Sequence, residues 1–289
     1  MLAVLFGALA GAAFGALMLL VRRGLGRGVD AFAGAVAMLA VATVLAALVA
    51  LPSFAGDSFA WSDLWPFAVA GSVAPGAAQI ILIMAVRDAG PSRTAILIGT
   101  APLLSVGIAL TVLDEPFRGW LVAGTVLVVA GGALLAVERA RPEHFRALGA
   151  VLALLCALLF AIRDNVTRWA ARDTHPPPLV AAAVALAAAF VLVAAYVAVA
   201  RPSAMARLRP AITAYAPAGV ALAAGYIFLL VAFDHGRVSI VAPLNATQSL
   251  WAVVFSATLF GRHSEMISRR LVAAGVLVVA GSALIGVVR

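Results

Sequence analysis

The chain is 289 residues long, 65% of it apolar and 11% charged, with a formal net charge of +8. A soluble domain carries about 25% charged residues, so this composition excludes one with a fully water-facing surface. All 20 basic residues are Arg, and nearly all stand between apolar runs. That placement marks membrane topology and argues against a nucleic-acid-binding stripe.

Ten apolar spans follow in chain order, at 1–21, 31–51, 64–86, 94–113, 120–137, 147–169, 179–200, 211–233, 240–260 and 271–288. Each is near the ~20 residues that cross a bilayer as a helix. None alternates as barrel strands do, so the expected fold class is an all-α integral membrane protein of ten transmembrane helices. The first span has no basic residue before it and Arg22-Arg23 after it, the reverse of a secretory signal, and is read as a membrane helix. Short connections hold the breakers, among them "RRGLGRG", "RDAGPSR" and "RDTHPPP".

Polar residues inside the spans are the candidates for a transport pathway. The third span offers Gln79, the fourth ("AILIGTAPLLS") offers Thr100, and the eighth offers Tyr226. Pro102 in the fourth span and Pro243 in the ninth free backbone carbonyls and are expected to kink their helices. The ninth span is polar over a short stretch, with Asn245, Thr247, Gln248, Ser249 and Trp251. Asn245, Gln248 and Ser249 recur at i, i+3 and i+4 and share one face of a continuous helix. Such a face either binds another helix or lines a cavity.

The fifth and tenth spans are near copies. "LVAGTVLVVAGGAL" at 121–134 and "LVAAGVLVVAGSAL" at 271–284 agree at 11 of 14 positions. The stretches before them also correspond, which predicts two five-helix halves, 1–137 and 147–289, joined by "ERARPEHFR" at 138–146. With five spans in each half, the second half enters the membrane from the opposite side. The halves are then inverted repeats about a pseudo-two-fold axis, an arrangement that gives two near-equivalent states around one midplane site.

The sixth span ends in "FAIRDNVTRW" at 160–169, where Arg163, Asp164 and Asn165 arrive together. Either the helix stops at Ile162 and the triplet lies at the interface, or the triplet lies inside the helix. Aligning Phe14-Gly15 with Phe160-Ala161 sets Leu17, Met18 and Leu19 opposite the triplet and Arg22 opposite Arg168. The first span stays apolar there, so the sixth is expected to continue to about 169 with the triplet in its second half. Neighbours on a helix point about 100° apart, so the expected pairs are Asp164 with Arg168 and Arg163 with Thr167, each four residues apart. Ionisable groups at membrane depth cost roughly 2.5–3.5 kcal/mol on insertion scales and usually face a cavity or partner. Asp164 is the one acidic residue of 12 expected deep in the membrane. Arg163 or Asp164 is accordingly the candidate for an ionic substrate or a coupling proton.

Other signals read as structural. His144, His175, His235 and His263 are dispersed with no metal spacing, so no metal or other cofactor is expected. Cys156 is alone in an apolar run, and "NVT" and "NAT" at 165–167 and 245–247 lie too deep to be glycosylation acceptors. The glycines of the fifth and tenth spans are expected to allow close helix packing.

The two halves resemble the EamA-type members of the drug/metabolite transporter superfamily. The likeness covers the whole chain. It is carried by "FGALMLLVRRGL" in the first span, by "LDEP" after the fourth, and by a glycine repeat in the fifth and tenth (Gly124 with Gly131, Gly275 with Gly281). The second half departs from it, because Glu265 in "LFGRHSEMISRR" stands later than Glu115 does in its half. The resemblance implies ten helices around a central cavity bordered by the fourth and ninth spans, and the carriage of small organic solutes.

The expected function is a secondary transporter that exports amino acids or related metabolites by alternating access. Its partners would be the lipid bilayer, a small-molecule substrate and a coupling proton, without nucleic acid, in a monomer or weak dimer. Same-fold carriers of lipophilic drugs or nucleotide-sugars are one alternative, and an integral-membrane enzyme or a non-transporting sensor is another. Ten spans put both termini on one face of a prokaryotic plasma membrane. Leaving Arg163 aside, 14 arginines lie on the opposite face and 5 on the termini's own, which places the termini outside; the resemblance implies cytoplasmic termini.

Overall fold

A computed structural model describes residues 1–56, 59–89, 91–136, 147–174, 176–259 and 269–286, and these are helical throughout apart from short turns. Among the described residues, seven segments are long and apolar enough to cross a membrane. The first two are α1 (Leu2–Gly26) and α2 (Ala31–Gly56). The third segment is interrupted. A 3-10 turn at Trp61–Leu64 leads into α3 (Trp65–Gly71), a wider turn of Ser72–Ala77 follows, and α4 (Ala78–Ala89) completes it.

The fourth segment is also in two pieces, α5 (Pro91–Ile98) and α6 (Ala101–Val112), and α7 (Gly119–Ala136) follows. The second group begins with α8 (Ala147–Thr174), α9 (Pro178–Ala200), a single turn α10 (Pro202–Met205) and α11 (Leu208–His235). It closes with α12 (Val238–Asn245), α13 (Gln248–Leu259) and α14 (Arg269–Gly286). The apolar stretches of α7 and α14, Gly119–Leu134 and Ala273–Ile285, are shorter than the seven. The joining segment, Glu265, His144, His175 and His263 lie outside the described residues.

The breaks in the fourth and ninth spans are not centred on the prolines. Pro102 sits in the first turn of α6, where its missing N–H has no helical partner to lose, and Pro243 lies within α12. The helices break instead at Gly99-Thr100 and Ala246-Thr247. At both breaks a threonine hydroxyl donates to a carbonyl three residues earlier, Thr100 to Leu97 at 2.6 Å and Thr247 to Leu244 at 2.7 Å. A side chain that satisfies local backbone in this way competes with the helical ladder. The break also separates Asn245 from Gln248 and Ser249, so these three do not share one unbroken helical face.

Alanine fills much of the core. Ala37, Ala42, Ala46 and Ala50 of α2 are fully buried, as are Ala182 and Ala189 of α9. Small side chains bring helix backbones close where lipid supplies no hydrophobic drive. Large apolar side chains instead point outward, Val44, Val151, Val191 and Val276 among them, as lipid-facing surface requires. The protein is a multi-pass integral membrane protein.

Contacts between the helices pair the two groups. α1 packs on α11 as α8 packs on α4, and α2 packs on α11 as α9 packs on α3. α1 meets α12 and α13 as α8 meets α5 and α6, while α2 with α9, α6 with α12 and α7 with α14 pair across the molecule. Exchanging residues 1–136 for 147–286 thus maps the principal contacts onto one another. The α7–α14 pair rests on three of the repeated glycines, Gly124, Gly131 and Gly281. A Cβ on Gly281 would lie 2.6 Å from the Gly124 carbonyl, and one on Gly131 would lie 2.8 Å from that of Ala274.

Candidate functional site

α8 runs unbroken through Arg163, Asp164 and Asn165, and ends eleven or fewer residues later at Thr174, so the triplet lies inside the helix. All three residues are buried, at 4%, 5% and 4% exposure. The pairing differs from the helical expectation. Arg163 Nε lies 2.8 Å from Asp164 Oδ1, so adjacent residues form a buried ion pair. Long side chains can curl toward each other even where their Cα–Cβ vectors diverge.

Arg168 does not pair with Asp164. It donates to the carbonyls of Phe233 and Asp234, at 2.7 and 3.2 Å, and so caps the C-terminal end of α11. Arg163 does not turn to Thr167 either. Its Nη1 donates to the Tyr226 hydroxyl of α11 at 2.8 Å.

Other elements complete the cluster. Ser105 of α6 donates to Asp164 Oδ2 at 3.0 Å, and Asn165 Nδ2 donates to the Ser105 and Ala161 carbonyls at 3.1 and 2.9 Å. The Tyr226 hydroxyl donates to the Ala74 carbonyl at 2.6 Å, at the interruption of the third span. The Arg163 guanidinium lies 5.5 Å from the Phe160 ring centre and 5.4 Å from that of Tyr226, and Phe14 of α1 meets Tyr226 edge-on. Five segments, from both halves of the sequence, thus meet around one buried ion pair.

The cluster is not saturated. Asn165 Oδ1 is buried with no hydrogen-bond partner among the described residues, while Arg163 Nε and Asp164 Oδ1 have only each other. Orphaned buried polar atoms are costly and mark places where a ligand, water or ion belongs.

The remaining sequence candidates are spread differently. Gln79 is half-buried one turn beyond the third-span interruption, and Thr100 is occupied with its own backbone. In the ninth span, Thr247 packs at Gly11 and Trp251 at Gly15, both on α1, while Ser249 faces Gly132 of α7. Trp251 stacks on Phe255 with ring centres 5.6 Å apart. Gln248 is half-buried on the same element, and the Asn245 side-chain oxygen is buried without a partner among the described residues. Thr247 and Trp251 thus lie against α1, and Ser249 lies against α7.

Ser105, Phe14, Phe160 and the Ala74 carbonyl escaped the sequence reading. Pro75-Gly76 inside an apolar span was the available signal for a break that exposes a carbonyl. Ser105 carried no signal beyond being polar in mid-span.

A second polar feature lies at the end of the bundle where α6, α8 and α11 finish. Asp114 adopts a left-handed backbone, φ 52°, which aspartate tolerates better than most residues. The turn aims Glu115 at the first turn of α12, where its carboxylate accepts the N–H groups of Val238 and Ser239 at 2.8 and 3.1 Å. A cavity of about 260 Å³ opens beside it, lined by Asp114, Glu115, Arg168, Arg172 and Arg237 among others.

No curated protein matches the chain. A solved structure described only as "Crystal structure of protein" is similar over 99% of this chain and 99% of its own, with TM-score 0.77 and 20% identity, a likeness of fold alone. The model of the EamA-like transporter family matches twice, over residues 1–137 and 147–287. Two matching repeats that span nearly the whole chain, over a helical membrane fold whose contacts exchange between those repeats, mean that the chain belongs to the EamA-like transporter family.

Proposed function

We propose that the protein is a secondary transporter that exports amino acids or related small metabolites, with the solute bound at the Arg163–Asp164 cluster. The observation that carries this reading is the buried ion pair beside the unpartnered Asn165 Oδ1, held where segments of both repeats converge. An Arg and an Asp side by side offer complementary partners to the carboxylate and ammonium of an amino acid, and Phe14, Phe160 and Tyr226 offer it apolar and π-faced walls.

The two repeats act as inverted five-helix halves, with a total of ten spans and alternating access about the cluster. The exchange symmetry of the helix contacts supports this. Asp164 is the residue that would carry a coupling proton, because it is the buried carboxylate of the cluster. Both termini lie outside on the arginine distribution.

The test is a thermal-shift screen of the purified protein against a metabolite library, followed by proteoliposome flux of the hits. Amino-acid hits whose flux is lost in Asp164→Asn and Arg163→Ala, and also in a double replacement of the pair that keeps the parent's stability, support the reading. Unaltered flux and pH dependence in both variants overturn it. A C-terminal reporter active only in the cytoplasm tests the orientation, and strong activity there reverses it.

A further inference from the structure

The third span is where two differently anchored pieces of helix meet. α3 packs chiefly on α9 and secondarily on α8, whereas α4 packs chiefly on α8, the helix that carries Arg163 and Asp164. Between them the backbone leaves the helix at Ala74, with φ −148° and ψ 124°. The angle between α3 and α4 is therefore set by whatever holds the chain at this point.

Besides its packing on α8 and α9, the turn is held by one hydroxyl. Tyr226 donates its single proton to the Ala74 carbonyl at 2.6 Å. With that proton committed, the oxygen can only accept from Arg163 Nη1, which it does at 2.8 Å. The two bonds run in one direction, Arg163 to Tyr226 to Ala74, and in a buried site each strengthens the other by polarisation. Tyr226 is 2% exposed and wedged edge-on by Phe14, so its hydroxyl has little freedom to find other partners.

We propose that Tyr226 is a positioning residue that couples engagement of Arg163 to the bend of the third span. While Arg163 donates to Tyr226, the Ala74 bond is strong and α3 and α4 keep their angle. When an anionic group of a bound solute takes the Arg163 donor, the Tyr226–Ala74 bond weakens and α4 is freed to move with α8 relative to α3, whose main neighbour is α9. This role rests on the transport reading of the cluster, and it assigns Tyr226 a task other than contact with the solute.

Hydrogen exchange of peptides covering residues 70–82, measured on the full chain in lipid nanodiscs, tests the coupling without a substrate. Arg163→Lys keeps a cation beside Asp164 but removes the second nitrogen that reaches Tyr226, and Tyr226→Phe removes the hydroxyl. Each is expected to raise exchange in these peptides by about tenfold, and the double variant by no more than either single one. Ser105→Ala, which loosens Asp164 without touching Tyr226, is expected to leave them unchanged. Additive effects in the double variant, or an equal rise in Ser105→Ala, overturn the proposal. Should Arg163→Lys fail to fold, Arg163→Gln replaces it in the same cycle. Absence of flux in proteoliposomes sinks the transport reading but leaves the exchange cycle unaffected, so the two failures are distinct.

Discussion

Glu115 and Val238 are 123 positions apart, yet the Glu115 carboxylate accepts the Val238 N–H at 2.8 Å and so caps a helix of the other repeat. The first N–H groups of a helix have no internal partners, and a carboxylate there also meets the positive end of the helix dipole. Glu115→Ala should therefore lower stability by about 1–2 kcal/mol, and Glu115→Gln, which keeps a neutral acceptor, by about half as much. Thermal unfolding in detergent measures both. An Ala variant as stable as the parent would show that solvent replaces the cap at no cost.

The glycine repeat makes a contrast within one helix. A Cβ on Gly281 would meet the Gly124 carbonyl at 2.6 Å, and backbone cannot move aside, whereas a Cβ on Gly275 would meet only Leu250 Cδ1 at 3.8 Å. Gly281→Ala should cost about 1–3 kcal/mol, while Gly275→Ala should be neutral or stabilising by up to about 1 kcal/mol. The same unfolding assay separates them, and equal effects would contradict the close approach of α7 and α14.

How much of this was legible in the sequence depends on whether the cause was local. The continuation of the sixth helix past Ile162 followed from setting Arg163, Asp164 and Asn165 against Leu17, Met18 and Leu19, and α8 does run to Thr174. The partners of that triplet were not legible. The i, i+4 rule gave Arg168 to Asp164, but Arg168 reaches the end of α11, which no helical wheel contains. The prolines were a fair signal of irregular helices in the fourth and ninth spans, yet the breaks fell on Thr100 and Thr247, whose hydroxyls offered the backbone a closer partner. "LDEP" stood out in the sequence, but its work as a cap across 123 residues is a tertiary fact.

Tyr215 separates the value of a ring from that of its hydroxyl. The ring lies over two glycines, with a Cβ on Gly24 or Gly34 placed 2.7 or 2.5 Å from its Cζ, while the hydroxyl is buried with no partner among the described residues. Tyr215→Phe should change stability by less than about 0.5 kcal/mol, and Tyr215→Ala should cost about 3–5 kcal/mol. A large loss in the Phe variant would mean that the hydroxyl has a partner after all.

The Arg163–Asp164 pair permits a test that separates structure from transport. Removing one member leaves the other charge buried and unpaired, so Asp164→Asn should cost about 3–5 kcal/mol. Loss of flux in that variant alone would therefore say little about function. Replacing both, as Arg163→Met with Asp164→Leu, removes the two buried charges together, and such replacements often recover or exceed the original stability. The double variant should unfold near the parent's midpoint and carry no amino-acid flux in proteoliposomes. Recovered stability with undiminished flux would make the pair a packing device and remove it from the transport pathway.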